Sequence, residues 1–217
     1  MLLADRRIEL DARPEPARAA PLEVVMLGHC PPEGEARWDR VGRDETMLAA
    51  ITSLGFTAEA ARLRAWQRGE AGAAQAGDAA LRGLYGLPLP IRSLGHFQTL
   101  FPLAFEADAE RASRLAGARA WLPRAVQDFF DGHEPGFEDT RTLWVLRVPQ
   151  AAGVAAFLPA ARPELADPAS LPPFDRALLV PRAGLVVLPD LERLLVPAQL
   201  DLPPRVRLPN AEPVFLP

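Results

Sequence analysis

The chain of 217 residues contains no lysine, one cysteine (Cys30), one asparagine (Asn210) and one tyrosine (Tyr85). All 24 cationic side chains are therefore arginine. Ala, Leu, Arg and Pro dominate, as a GC-rich coding bias would produce, so single arginines carry little functional weight. A lone cysteine excludes an internal disulfide, and among Cys30, His29, His96 and His133 there is no paired spacing of the zinc type. Basic residues do not exceed acidic ones: 24 stand against 28, for a net charge of -4 and a pI near 5.5. Phosphate binding needs basic residues concentrated on one face, and Arg6-Arg7 and Arg205-Val206-Arg207 are too short to supply that. The longest apolar runs, residues 22–27 and 184–188, fall well short of the roughly 20 residues of a membrane helix. The opening Met-Leu-Leu-Ala-Asp-Arg-Arg turns charged at once and has no signal-peptide core. The expectation is a reduced, cytoplasmic protein with no nucleic-acid or membrane partner.

What is present is enough for a real core. With 49% hydrophobic and 24% charged residues, the length suggests one domain or one domain with a small appendage. The 24 prolines cluster at 14–32, 149–181 and 189–217, with only Pro88, Pro90, Pro102, Pro123 and Pro135 between the first two clusters. Proline removes a backbone donor, so the middle is read as helical and the ends as extended segments, edge strands and turns.

In the middle, Asp44 can cap a helix with Met47, Leu48, Ile51 and Leu54 on one stripe, stopped by Gly55. Thr57 can cap the next, carrying Leu63 and Trp66 and ending at Gly69, so the two make a helical hairpin. Residues 70–83 read as a loop with some helix. Ser93 can cap a helix with Leu94, Phe97, Leu100 and Phe101 inward, and 106–116 reads as a charged surface helix. Trp121, Leu122, Ala125, Val126, Phe129 and Phe130 repeat as pairs every four residues, the pattern of one buried face, and Pro123 fits only in the first turn of that helix. Apolar runs at 22–27, 142–148, 154–158, 177–180 and 185–188 read as strands. Several are apolar on both faces, as in a sheet covered by helices. The fold class expected is α/β or α+β: a mixed sheet covered by helices, with a helical insertion and extended terminal arms.

Candidate chemistry is sparse. The run from 22–27 into Gly28-His29-Cys30-Pro31-Pro32-Glu33-Gly34 occupies a place where α/β enzymes keep phosphate loops or nucleophiles. Yet Pro31 and Pro32 lack the N–H groups of a phosphate cradle, and neither glycine-rich nucleotide motif is present. His29 and Cys30 are adjacent, so on a strand they point to opposite faces and cannot form a nucleophile–base pair. Cys30 reads most simply as a small buried thiol. Asp190 follows Pro189 at a strand end, where ligands often bind, but with no second polar group at readable spacing it reads as a cap for a helix at 191–196. Asp128, Asp131, His133, Glu134, Glu138 and Asp139 lack calcium-loop spacing and read as a solvated loop. His96 reads as a helix-surface or boundary histidine. No catalytic, cofactor-binding or metal-binding residue is expected, and the enzymatic alternative rests on Cys30 or Asp190 at strand ends.

Five segments together carry a resemblance. Pro90-Ile91-Arg92-Ser93-Leu94-Gly95-His96-Phe97-Gln98-Thr99-Leu100-Phe101 has a Ser with a Phe four residues later and a second aromatic close behind. Trp121-Leu122-Pro123-Arg124-Ala125-Val126-Gln127-Asp128-Phe129-Phe130-Asp131-Gly132 is a helix ending in a Phe pair and Gly. Thr142-Leu143-Trp144-Val145-Leu146-Arg147-Val148 is a strand ending in Val-x-Arg-Val. Gly184-Leu185-Val186-Val187-Leu188-Pro189-Asp190 is an apolar strand ending in Pro-Asp, and residues 22–28 form a first strand. In order and spacing these resemble the core of the contractile tail sheath family of phage tails and related injection machines. Pro102 and His133 stand where glycines are common, residues 134–139 lengthen a loop, and residues 36–89 form a helical insertion. No C-terminal sheath region is recognisable.

The resemblance implies a structural subunit without a catalytic site or cofactor. Such a subunit assembles into a ring or helical sleeve around an inner tube, or serves as a sheath-like terminal or accessory component. Its partners would be itself or a related sheath chain and an inner-tube, baseplate or terminal protein, within a phage tail or injection-system particle. The organisation expected is an N-terminal arm at 1–21, an α/β core at 22–198 with the insertion 36–89, and a Pro-rich C-terminal arm at 199–217. Segments 2–10 and 206–216 are partly alternating and set off by prolines, as strand-adding arms would be.

Overall fold

The computed structural model describes residues 23–30, 36–70, 81, 83–102, 104, 120–131, 142–149, 151–161 and 167–195. Both expected arms, the helix at 106–116, the acidic loop beyond Asp131 with His133, and nearly all of 70–83 lie outside the described residues.

Four strands form one mixed sheet: β1 (Glu23–His29), β2 (Leu89–Ile91), β3 (Leu143–Val148) and β4 (Ala183–Val187), in the spatial order β2-β3-β1-β4. β1 runs parallel to both β3 and β4, with Val25 opposite Trp144 on one side and Val186 on the other. Every residue of β3, and β1 from Val25 onward, is buried. A parallel strand covered on both faces has no solvent side, which is why these two read as unbroken apolar runs rather than alternating ones. β2 pairs antiparallel with β3, Pro90 opposite Trp144. A short strand with a proline at its centre gives almost no sequence signal, and 89–91 was not expected as a strand. An edge position tolerates Pro90 because only one side of the strand must donate.

Before β2 come α1 (Trp38–Val41), α2 (Glu45–Ser53) and α3 (Thr57–Gln67). Asp44 caps α2 as anticipated, its Oδ1 accepting the Met47 N–H at 3.0 Å. Gly55 follows at φ +93°, a conformation that favours glycine and turns the chain sharply into α3. Thr57 does not cap α3 but is its first residue; Phe56 occupies the cap position without a side-chain bond and is itself buried. The hairpin closes through the stacked indoles of Trp38 and Trp66, 4.1 Å between centroids. It packs against the rest through the Arg37 N–H bonded to the Leu100 carbonyl at 2.9 Å.

α4 (Leu94–Leu100) begins at Ser93, whose Oγ accepts the His96 N–H at 3.0 Å. α5 (Leu122–Asp131) carries the apolar stripe, Leu122, Pro123 and Val126 buried and Ala125, Phe129 and Phe130 half-buried. Trp121 stands outside α5 and is 40% exposed, so it is not part of the core face. Two expected strands are absent. Residues 154–157 form a 3-10 turn, since Gly153 and Pro159 bracket a stretch of alanines too short to pair. The 177–180 segment is the end of α6 (Pro173–Ala177) and its exit turn, because Pro172-Pro173 starts a helix rather than a strand. α7 (Pro189–Leu195) closes the described chain. A single hydrophobic core takes in Trp38, Met47 and Leu63 of the hairpin together with Val25, Leu27, Val145 and Leu146 of the sheet. Among the described residues no helix is long and apolar enough to cross a membrane.

Candidate functional site at the strand ends

Parallel α/β sheets bind ligands at the carboxyl ends of their strands, because loops and helix N-termini converge there. In this protein that position receives Gly28, His29 and Cys30 from β1, Arg147 and Val148 from β3, and Asp190 from the first turn of α7. His29, Arg147 and Asp190 are each 0% exposed.

Asp190 is where the expectation changes most. It is the second residue of α7, inside the helix rather than before it, and its side chain reaches across the fold. Oδ2 accepts the His29 backbone N–H at 2.8 Å, and Oδ1 accepts the Trp121 backbone N–H at 2.8 Å, one residue before α5. A helix N-terminus favours an anion, and here the chain's own carboxylate takes that place. Gly28 makes the approach possible: a Cβ added there would lie 2.6 Å from Asp190 Oδ2 and 2.9 Å from Leu122 Cβ. One carboxylate thus ties the end of β1 to the starts of α5 and α7.

His29 faces the other way, as its neighbour on a strand must. Its Nδ1 lies 3.2 Å from the Val148 carbonyl oxygen, an acceptor only, so Nδ1 carries the proton. Nε2 is buried with no hydrogen-bond partner among the described residues. The ring meets Phe157 edge to face, 5.4 Å between centroids.

Arg147 is the residue that sequence reasoning undervalued. Its Nη1 donates to the Gly83 carbonyl at 2.8 Å and its Nη2 to the Cys30 carbonyl. The guanidinium lies 4.6 Å from the Phe101 ring centre and 5.3 Å from that of Tyr85. Burying a charge is costly unless acceptors and aromatic faces replace its hydration, and this arrangement supplies both. Its signal was present all along: a cation inside the otherwise apolar run Leu143–Val148 cannot reach water.

Cys30 is buried beneath this network. Burial pushes its thiol up to about 11; Arg147 pulls it down and Asp190 adds to the rise. Nucleophilic sulfur needs the thiolate, which this environment disfavours. Cys30 and Asp190, the two separate enzymatic candidates of the sequence, are brought into one neighbourhood, but as an enclosed thiol and a carboxylate already accepting two amides. No group of three or more His, Cys, Asp or Glu side chains able to hold a metal occurs among the described residues.

The surface contrasts with this closed centre. Leu185, in the middle of β4, is 55% exposed, and Gly184 beside it is exposed as well. β4 is an edge strand whose described pairing is with β1 alone. Compared with known proteins, the chain matches no protein-family model, no curated protein and no solved structure.

Proposed function

We propose that this chain is a structural subunit resembling a contractile tail sheath protein. It would join copies of itself or a related sheath chain through heterologous contacts, in a ring or sleeve around an inner tube, or act as a sheath-like terminal or accessory component. The observation that carries this reading is that β4, at the edge of the sheet, pairs among the described residues with β1 alone. Residues 183–188 contain no charge and no proline. Edge strands left without charges or prolines pair readily with a further strand, so monomeric proteins guard them; the one irregularity of β4 lies at its start, between Ala183 and Leu185. Heterologous contacts repeat without closing when one surface accepts and a different one donates. Strand addition supplies affinity through backbone hydrogen bonds, and segments 2–10 and 206–216 have the alternation a donated strand needs. The setting would be the cytoplasm, in a phage-tail or injection-system particle.

An enzyme working through Cys30 or Asp190 draws no support from the geometry. One side chain is an enclosed thiol and the other already bridges two backbone amides. The test is light scattering over a concentration series with negative-stain imaging of the same fractions, on the full chain and on a variant lacking residues 1–12. Rings or tubes from the full chain, lost on deletion with the circular dichroism unchanged, are the expected result. A full chain that stays monomeric at every concentration, alone and with candidate tube proteins, overturns the reading.

A further inference from the structure

The α1–α3 hairpin meets the turn leading into α4 at a pair of facing helix starts. Asp44 caps α2 with one carboxylate oxygen, and its other oxygen lies 3.9 Å from His96 Nε2. His96 sits in the first turn of α4, its backbone N–H held by Ser93 Oγ at 3.0 Å and its Nδ1 accepting the Arg92 N–H at 3.4 Å. Nδ1 accepts, so the proton of the neutral ring is on Nε2, pointing to Asp44. We infer that His96 makes this seam acid-sensitive on one side: proton uptake at Nδ1 sets two donors face to face and breaks the Arg92 contact before α4, while the charged ring is drawn to Asp44 and the cap of α2 stays in place.

Among the described residues the charged groups acting on the ring are Asp44 from α2 and Arg92 from the turn before α4. They oppose each other. Burial is the largest influence and lowers the histidine below its ordinary 6.5; Asp44 raises it and Arg92 lowers it. The first turn of a helix also disfavours a cation. A base harder to protonate folded than unfolded leaves stability intact above pH 6.5. It loses stability as pH falls below that, until the folded ring itself takes the proton.

Amide hydrogen exchange on the full chain, corrected for intrinsic rates, reads this out at Arg92, the amide that loses its acceptor, with Met47 on the Asp44 cap as the internal reference. Between pH 7.5 and 5.5 Arg92 is expected to exchange several-fold faster relative to Met47 and to core amides of β3, and His96→Gln is expected to abolish that acid response. Asp44→Asn keeps the cap but removes the attraction, so the ring's titration followed by NMR should move to lower pH. A pH-independent seam in the native chain, an acid response that persists in His96→Gln, or a titration unmoved in Asp44→Asn overturns the inference.

Discussion

The sheet has two edges, and they are built to opposite rules. At one, β2 carries Pro90, is buried along its whole length and lies under α2 and α4. At the other, β4 is uncharged, partly exposed and apolar at its centre, where Leu185 stands 55% open. A strand edge presents donors and acceptors to a further strand; β2 has a proline and a helical cover against such pairing, whereas β4 has no charge and no proline and only one register irregularity, between Ala183 and Leu185. Aggregation through a sheet of this kind would be directional: only one side can grow. The strand-end centre is turned inward like β2, with Asp190 and Arg147 held on backbone partners, in contrast to the exposed margin at β4.

The sharpest way to break the comparison is to guard the open edge. Leu185→Arg places a charge at the exposed centre of β4. Assembly seen by sedimentation should be lost entirely while the thermal midpoint moves by no more than about 2 °C, as for a surface substitution. Assembly that survives would remove β4 from any role in it.

Next in size is the closed centre. Asp190→Ala leaves the His29 and Trp121 amides without their acceptor, and chemical denaturation should show a loss of about 2–6 kcal/mol, two amides at about 1–3 kcal/mol each. Gly28→Ala drives a methyl group into the carboxylate and Leu122, and should cost about 1–3 kcal/mol by the same measurement. If both substitutions were neutral, the strand ends would not be the rigid counterpart of the open edge.

Cys30 gives a smaller and purely kinetic contrast. With its thiol pushed from 9.0 to about 11, the thiolate fraction near pH 8 falls about 100-fold. Reaction with a thiol reagent in the native state should therefore be at least that much slower than in denaturant, rising about tenfold per pH unit and levelling off only above the raised value. At the closed edge, Pro90→Ala puts a new N–H under a helical cover and frees the unfolded chain, and should cost about 1–3 kcal/mol without promoting association.

Much of the fold was legible because it is written locally. Asp44 and Ser93 bond to amides three residues away, the stripe of α5 repeats at helical spacing, and the buried runs of β1 and β3 have no polar side to disguise them. The misreadings share a cause: 154–158, 177–180 and 89–91 are short, and in so few residues alanines, prolines and neighbours outweigh propensity. The centre was legible in composition but not in arrangement. Gly28, His29, Cys30 and Asp190 could all be named, but Asp190 reads as an ordinary helix cap until its partners are known. Those partners lie 161 and 69 residues away.

By itself the sequence determined an α/β fold with a mixed, helix-covered sheet, no disulfide and an apolar core, since composition and periodicity fix which faces must leave water. Only the tertiary structure decided the strand order β2-β3-β1-β4, and with it which strand was left at the open margin. Only the tertiary structure, too, gave Asp190, Arg147 and His29 their partners, because hydrogen bonds between distant segments depend on how elements pack and not on neighbours in the chain.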